Sequence, residues 1–262
     1  MNTPSTFFEW IGFIINKFGP SLLQGASNTL IIAFVGTAVG CLIGLVIGII
    51  NTIPIEKNSN PAEKSVLYFI RFVFGVYVEV FRGTPMMAQA AFIYFGLRMF
   101  GIFLTSWPAA FLIVSINTGA YMAETVRGGI LSIDPGQTEG AKAIGMTHFQ
   151  TMTSVILPQA LRNIMPQIGN NLIINIKDTC VLSTISVVEL MYQAKSISGA
   201  YYRYFETYTI TMVMYLAMTL FFSRLLRIVE KKMEGNKSYD LATHDTLAHT
   251  SGMISYRKEG RR

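Results

Sequence analysis

Residues 136–162 read GQTEGAKAIGMTHFQTMTSVILPQALR, a polar and compact stretch in a chain that is otherwise apolar enough to live in a bilayer. Just before it stand Asp134 and Pro135. Asp at an N-cap and Pro at the first helical position predict that a helix opens here, with Gln137, three residues after the cap, completing a capping box. Gly145 supplies a stop. Thr147-His148-Phe149-Gln150 repeats the same start, and Leu157-Pro158 either ends the second short helix or kinks it into the segment that follows. The expected result is a knob of two short capped helices around a glycine corner. Ala141 and Ala143 keep one flank low, while Ile144, Met146, Phe149 and Met152 offer apolar area that a partner's groove would cover.

Outward from this stretch, composition takes over. The chain has 262 residues, 51 % hydrophobic and 14 % charged, whereas about a quarter of the residues in a soluble domain are charged. A hydrocarbon core roughly 30 Å thick needs about 20 mostly apolar residues in a helix. Spans are read near 26–50, 84–101, 107–130, 160–177 and 205–228. Residues 65–82 are also apolar but run into Arg82-Gly83-Thr84-Pro85. Proline opposes helix continuation, so this segment reads as a separate, partly interfacial helix feeding the second span, with a sixth full span as the alternative. No cleavable leader is expected, because the first apolar run is long, starts late and follows a nearly uncharged N-terminus. Residues 1–234 form the membrane domain, and 235–262, polar and without periodicity, read as a disordered cytoplasmic tail.

Lys57, Lys64, Lys142, Arg224, Arg227, Lys231, Lys232 and the basic residues of the tail fall on one side of these spans; Lys17 and Arg203 are the main cations of the other. The positive-inside rule then predicts the N-terminus outside and the C-terminus in the cytoplasm. The net charge of +6 is therefore mostly topology, and without a separate basic domain nucleic acid is not expected as a partner. Cys41 and Cys180 read as small buried residues, and His148, His244 and His249 lack ligand spacing, so no metal is expected. Nothing matches GxxxxGK[ST], so no phosphate cradle is present; the chain is not read as an enzyme and any ATP chemistry belongs to a partner. Internal repeats and paired broken segments, which mark many secondary transporters, are not evident. Gly36, Gly40, Gly44 and Gly48 form a stripe that lets another helix approach closely, either within the bundle or from a second subunit.

The knob resembles the EAA loop of the membrane subunits of ABC importers, whose pattern is Glu-Ala-Ala, three residues, Gly, nine residues, Ile, any residue, Leu-Pro. Here Glu139, Ala141, Gly145, Leu157 and Pro158 match; Gly140 replaces the first Ala and Val155 the Ile. EVFRGTP (79–85), AYMAETVRGGI (120–130) and NIKDT (175–179) are similar to the polar amino acid branch of that family (histidine, glutamine and arginine permeases), and the resemblance covers roughly residues 20–230. It implies an all-α integral membrane protein of the type I importer architecture, five transmembrane helices with a cytoplasmic coupling helix within 134–158. It further implies a bacterial plasma (inner) membrane location, two ABC ATPase subunits that bind ATP and Mg, a second permease subunit, identical or similar, and an extracytoplasmic amino acid-binding protein. Glu139, Gly140, Ala141, Gly145, Met146, Phe149, Leu157 and Pro158 would then couple to the ATPase. The rival reading is a secondary transporter or channel driven by an ion gradient.

Ionisable groups at membrane depth need a partner or a wet cavity. Glu79 with Arg82, and Glu124 with Arg127, are each three apart and can pair on one helix face. Lys177 and Asp178 are adjacent, so on a helix they point about 100° apart and cannot neutralise each other. They are expected to mark a place where the span unwinds beside protein or water. A zwitterion needs a cation and a carboxylate, and Lys177, Asp178, Thr179, Gln89, Asn117 and Glu124 are the candidate substrate contacts, with Asn170, Asn171 and Asn175 nearby; a structural pair at the outer boundary is the alternative. Tyr192, Tyr201, Tyr202, Tyr204 and Tyr208 suit an interfacial belt or contact with a delivering protein.

Overall fold

The glycine stripe sets the central packing. It lies on α1 (Phe7–Thr52) and faces α4 (Ser106–Leu131). A Cβ at Gly36, Gly40, Gly44 or Gly48 would stand 2.3 Å from Val114 Cγ1, 2.5 Å from Thr118 Cβ, 2.4 Å from Met122 Cβ or 2.6 Å from Val126 Cβ, respectively. No real Cβ fits at such distances, so the stripe is filled by this chain's own α4. Both series advance by four residues in the same sense, so the two helices run parallel.

The computed structural model describes residues 4–54 and 60–234; the tail expected over 235–262 lies outside the described residues. Within them the chain is helical, with no strand, and continues through α2 (Pro61–Gly83), α3 (Met86–Met99), α5 (Pro135–Ala143), α6 (His148–Thr151), α7 (Leu157–Asp178), α8 (Leu190–Tyr201) and α9 (Tyr204–Glu234). The helices expected near 107–130, 160–177 and 205–228 are present as α4, α7 and α9. α1 is a correction: it opens at Phe7 rather than near residue 26. Thr6 and Glu9 form a capping box there, with Glu9 N donating to Thr6 Oγ1 at 3.4 Å and Thr6 N to Glu9 Oε2 at 3.3 Å. Pro20 is carried inside the helix. At 46 residues α1 is about 69 Å long, more than twice a hydrocarbon core.

By length and composition α1, α4 and α9 can each cross a membrane, and the segment His148–Ile185 with Leu190–Tyr201, bent by 52°, makes a fourth as one broken span. The region expected as the second span holds α3, whose 14 residues reach about 21 Å. It follows α2 across the Gly83–Pro85 break, as the proline predicts. α2 carries Arg71, Glu79 and Arg82 and buries no residue.

α6 and α7 form one run rather than a short helix followed by a span. They are joined by a π-helical turn, Met152–Ile156, in which Leu157 N donates to Met152 O. Pro158 explains it: its missing N–H and its ring would disrupt a normal α-turn, and the wider turn absorbs both. The start of this run is fixed to the bundle by a buried cluster of Val126, Ile130, Met152, Ile156, Ala160 and Ile164.

Candidate functional site

The knob is built by its caps. Asp134 Oδ1 accepts from Gly136 N at 2.6 Å, with Pro135 at the first helical position. The capping box expected from Gln137 does not form; its Oε1 accepts instead from Gln159 Nε2 at 3.3 Å, bridging α5 to the start of α7. At the other end Met146 N donates to Ala141 O at 3.1 Å and Gly145 N to Lys142 O at 2.9 Å, the paired bonds of a Schellman motif. Gly145 has φ +83° with open space where a Cβ would be, so backbone conformation and not packing demands glycine. The second cap is a full box: Thr147 N donates to Gln150 Oε1 at 2.9 Å and Gln150 N to Thr147 Oγ1 at 3.3 Å.

Ile144 is 79 % and Phe149 76 % exposed. Glu139, Gly140 and Pro158 are exposed, Met146 and Leu157 half-buried. Ala141 and Met152 are buried, so Met152, expected on the contact face, serves the base of the knob instead. Thr52 and Pro54, at the end of α1, border the same cavity as Pro135, Glu139 and His148. The knob therefore sits at the C-terminal ends of α1 and α4.

Above it, most of the expected polar contacts are spent on the fold. Asn117 Nδ2 donates to Gln89 Oε1 at 2.9 Å, and Gln89 Nε2 donates to Phe81 O and Thr84 O, each at 2.9 Å. The pair thus satisfies carbonyls freed at the α2–α3 break, where Pro85 offers no N–H. Asn175 Nδ2 reaches Thr37 Oγ1 at 2.8 Å and Thr118 Oγ1 at 2.9 Å, joining α7 to α1 and α4. Asn171 Nδ2 donates to Gln167 O, and Asn170 is exposed. Glu124 and Arg127 pair as expected, at 2.5 Å and 3.1 Å. Glu79 and Arg82 form no ion pair among the described residues; the Arg82 guanidinium lies 5.8 Å over the Tyr121 ring.

Lys177 and Asp178 end α7, and from Thr179 the chain tightens into a 3₁₀ helix, Thr179–Ile185, so the regular span does change at this point. Lys177 is exposed and Asp178 half-buried, and among the described residues neither side chain has a hydrogen bond or ion pair. Thr179 is buried and donates to Ile176 O. No hydrogen bond links these three to Gln89, Asn117 or Glu124.

Glu189 was not expected. It is fully buried and caps α8. An ionisable residue between Val187, Val188 and Leu190 is itself the signal that would have found it. At the end of the molecule away from the knob, Lys17 Nζ donates to Tyr201 Oη at 2.7 Å, and Arg203 lies 4.5 Å over Trp10. Tyr201 packs edge-on against Trp10, Phe13 and Phe18, while Tyr202 and Tyr204 are exposed.

Among the described residues the chain is an all-helical bundle with helices long and apolar enough to cross a membrane and a capped knob at one end. Residues 65–235 match the family of binding-protein-dependent transport system inner membrane components, and the chain belongs to that family. It is 38 % identical over 217 residues to the glutamine transport system permease protein GlnP of Escherichia coli (strain K12), covering 82 % of this chain and 94 % of the relative. It is 34 % identical over 218 residues to the arginine transport system permease protein ArtQ of Bacillus subtilis (strain 168), covering 83 % and 94 %. The crystal structure of an amino acid ABC transporter with histidines superposes with a TM-score of 0.75 at 36 % identity, covering 88 % of this chain and all of that one. At 20 % identity, an inward-facing MetNI methionine ABC transporter shares the fold, with a TM-score of 0.68.

Proposed function

We propose that this chain is the permease subunit of an ATP-driven importer for a polar amino acid. One observation carries the reading: a capped, glycine-cornered knob displays Ile144 and Phe149 to solvent at one end of a bundle whose relatives are amino acid permeases. Residues 1–234 act as one membrane domain in the bacterial inner membrane, with the knob and C-terminus cytoplasmic. The knob, through Glu139, Gly140, Ala141, Gly145, Met146, Phe149, Leu157 and Pro158, docks against an ATPase subunit that binds ATP and Mg itself. Two ATPase subunits, a second permease subunit and an extracytoplasmic binding protein complete the complex. Unpaired and adjacent, Lys177 and Asp178 offer a cation for a substrate carboxylate and a carboxylate for its ammonium. Glu124, paired with Arg127, borders the same path, while Gln89, Asn117 and Thr179, buried and bonded within the fold, hold the helices that frame it.

Two substitutions separate docking from passage. Phe149→Asp places a charge on an aromatic anchor worth about 2 kcal/mol or more and is expected to abolish co-purification with the ATPase. Asp178→Asn is expected to leave co-purification intact and to lower uptake about tenfold, the loss of one charge-assisted contact. Co-purification unchanged in Phe149→Asp would contradict the docking role, and unchanged uptake in Asp178→Asn would remove that residue from the path.

A further inference from the structure

The bend between α7 and α8 is clamped by a carboxylate that the reading above leaves unused. Glu189 has 0 % of its surface exposed. Its Oε1 accepts from Tyr192 N at 2.7 Å, and its Oε2 accepts from Met191 N at 2.8 Å, Tyr215 Oη at 2.9 Å and, at 3.5 Å, Thr29 Oγ1. Every partner is a donor, which suits a carboxylate and not an amide, whose N–H₂ would turn toward other donors. Burial at such a depth is costly unless the group is fully bonded, and here the bonds come from α1, α9 and the first turn of α8.

The same backbone is held again from α1. Asn28 Nδ2 donates to Val188 O at 2.7 Å, and Leu190 N donates to Thr29 Oγ1 at 3.3 Å. A Cβ on Gly25 would lie 3.0 Å from Leu190 Cα, so α1 touches the bend backbone to backbone. Ser186 turns the chain with φ +61°, and Lys195 Nζ reaches back to Ser183 Oγ at 2.8 Å, tying α8 to the 3₁₀ segment. Lys177 and Asp178 stand on one arm of this bend; its angle is set from the other.

We propose that Glu189 is a positioning residue for transport: by fastening the bend to α1 and α9 it fixes where Lys177 and Asp178 stand along the path. This rests on the assignment of those two residues as substrate handles. The test uses the full complex with ATPase subunits and binding protein in liposomes, measuring amino acid moved per ATP hydrolysed. Glu189→Gln is expected to assemble at a lower yield, because its N–H₂ faces a backbone donor, and in the complex that forms the ratio is expected to fall about tenfold, as small misplacements of binding groups do. Tyr215→Phe, which deletes one donor and keeps the ring, is expected to lower it about threefold.

A role confined to stability would reduce yield and leave the ratio unchanged; that result, or a wild-type ratio in Glu189→Gln, overturns the proposal. If Glu189→Gln does not accumulate, Tyr215→Phe decides, and a wild-type ratio there overturns it. Should the wild-type complex move no amino acid, the functional assignment has failed and the clamp is judged separately by thiol labelling of Cys180 with Cys41→Ala in the background. Labelling about tenfold faster in Glu189→Gln, the mark of local opening, supports the clamp, and equal rates overturn it.

Discussion

Replacing Gly145 with valine is expected to reduce ATP-dependent uptake to less than about a tenth of wild type while the membrane helices stay folded. The glycine holds φ +83°, and an L-residue in that region costs about 1–2 kcal/mol, more when β-branched. The chain can relieve this only by opening the two bonds that close α5, Gly145 N to Lys142 O and Met146 N to Ala141 O. Ile144 and Phe149 stand on opposite sides of that corner, so their relative placement is lost with it. No neighbour lies within 4 Å of the site, so no packing inside the bundle is disturbed. Uptake should therefore fall with little change in thermal stability of the purified permease. A Gly145→Val protein with full coupled uptake would show that the corner carries no force.

The second large effect concerns the bundle itself. Gly44→Leu is expected to prevent stable accumulation. Its Cβ alone would stand 2.4 Å from Met122 Cβ and 2.7 Å from Ala123 N, and the latter is backbone that cannot rotate away. α1 and α4 would have to part along the whole stripe, exposing Val114, Thr118 and Val126, all buried in the native packing. Overpacking by a methylene or two already costs about 1–3 kcal/mol, so a leucine here should lower the melting temperature by roughly 5–10 °C or abolish folding. Gly75→Leu is the control, because a Cβ at Gly75 meets nothing within 4 Å. If Gly44→Leu accumulated and melted like Gly75→Leu, the parallel α1–α4 seam would be wrong.

Much of this was legible in the residues. Local rules act over three or four positions, so Asp134, Pro135, Gly145, Thr147 and Gln150 declared their caps, and Pro85 declared its break. Gln137 failed because a competing donor, the Gln159 Nε2 of a segment 22 residues on, captured its side-chain oxygen. Met152 misled for a similar reason: Val126 and Ile130 of α4, distant in sequence, bury it at the base of the knob. α1 starts earlier than its apolar run because the Thr6–Glu9 box opens the helix, and packing of Ile14 and Leu22 against α8 and α9 carries it past Pro20. Gln89, Asn117 and Asn175 looked like free polar groups in apolar helices. Only tertiary structure shows that broken backbone and neighbouring hydroxyls occupy them. Glu189 is the converse: one charge in VVEL, whose four donors come from three separate elements.

The central claim is that the knob passes work from nucleotide hydrolysis into the bundle, and uptake by the reconstituted complex tests it most directly. Liposomes carrying the permease with its ATPase subunits and the loaded binding protein would be supplied with ATP, or with a proton or sodium gradient and no nucleotide. The account predicts accumulation of the amino acid with ATP alone and none with either gradient. Accumulation driven by a gradient in the absence of ATP would contradict it.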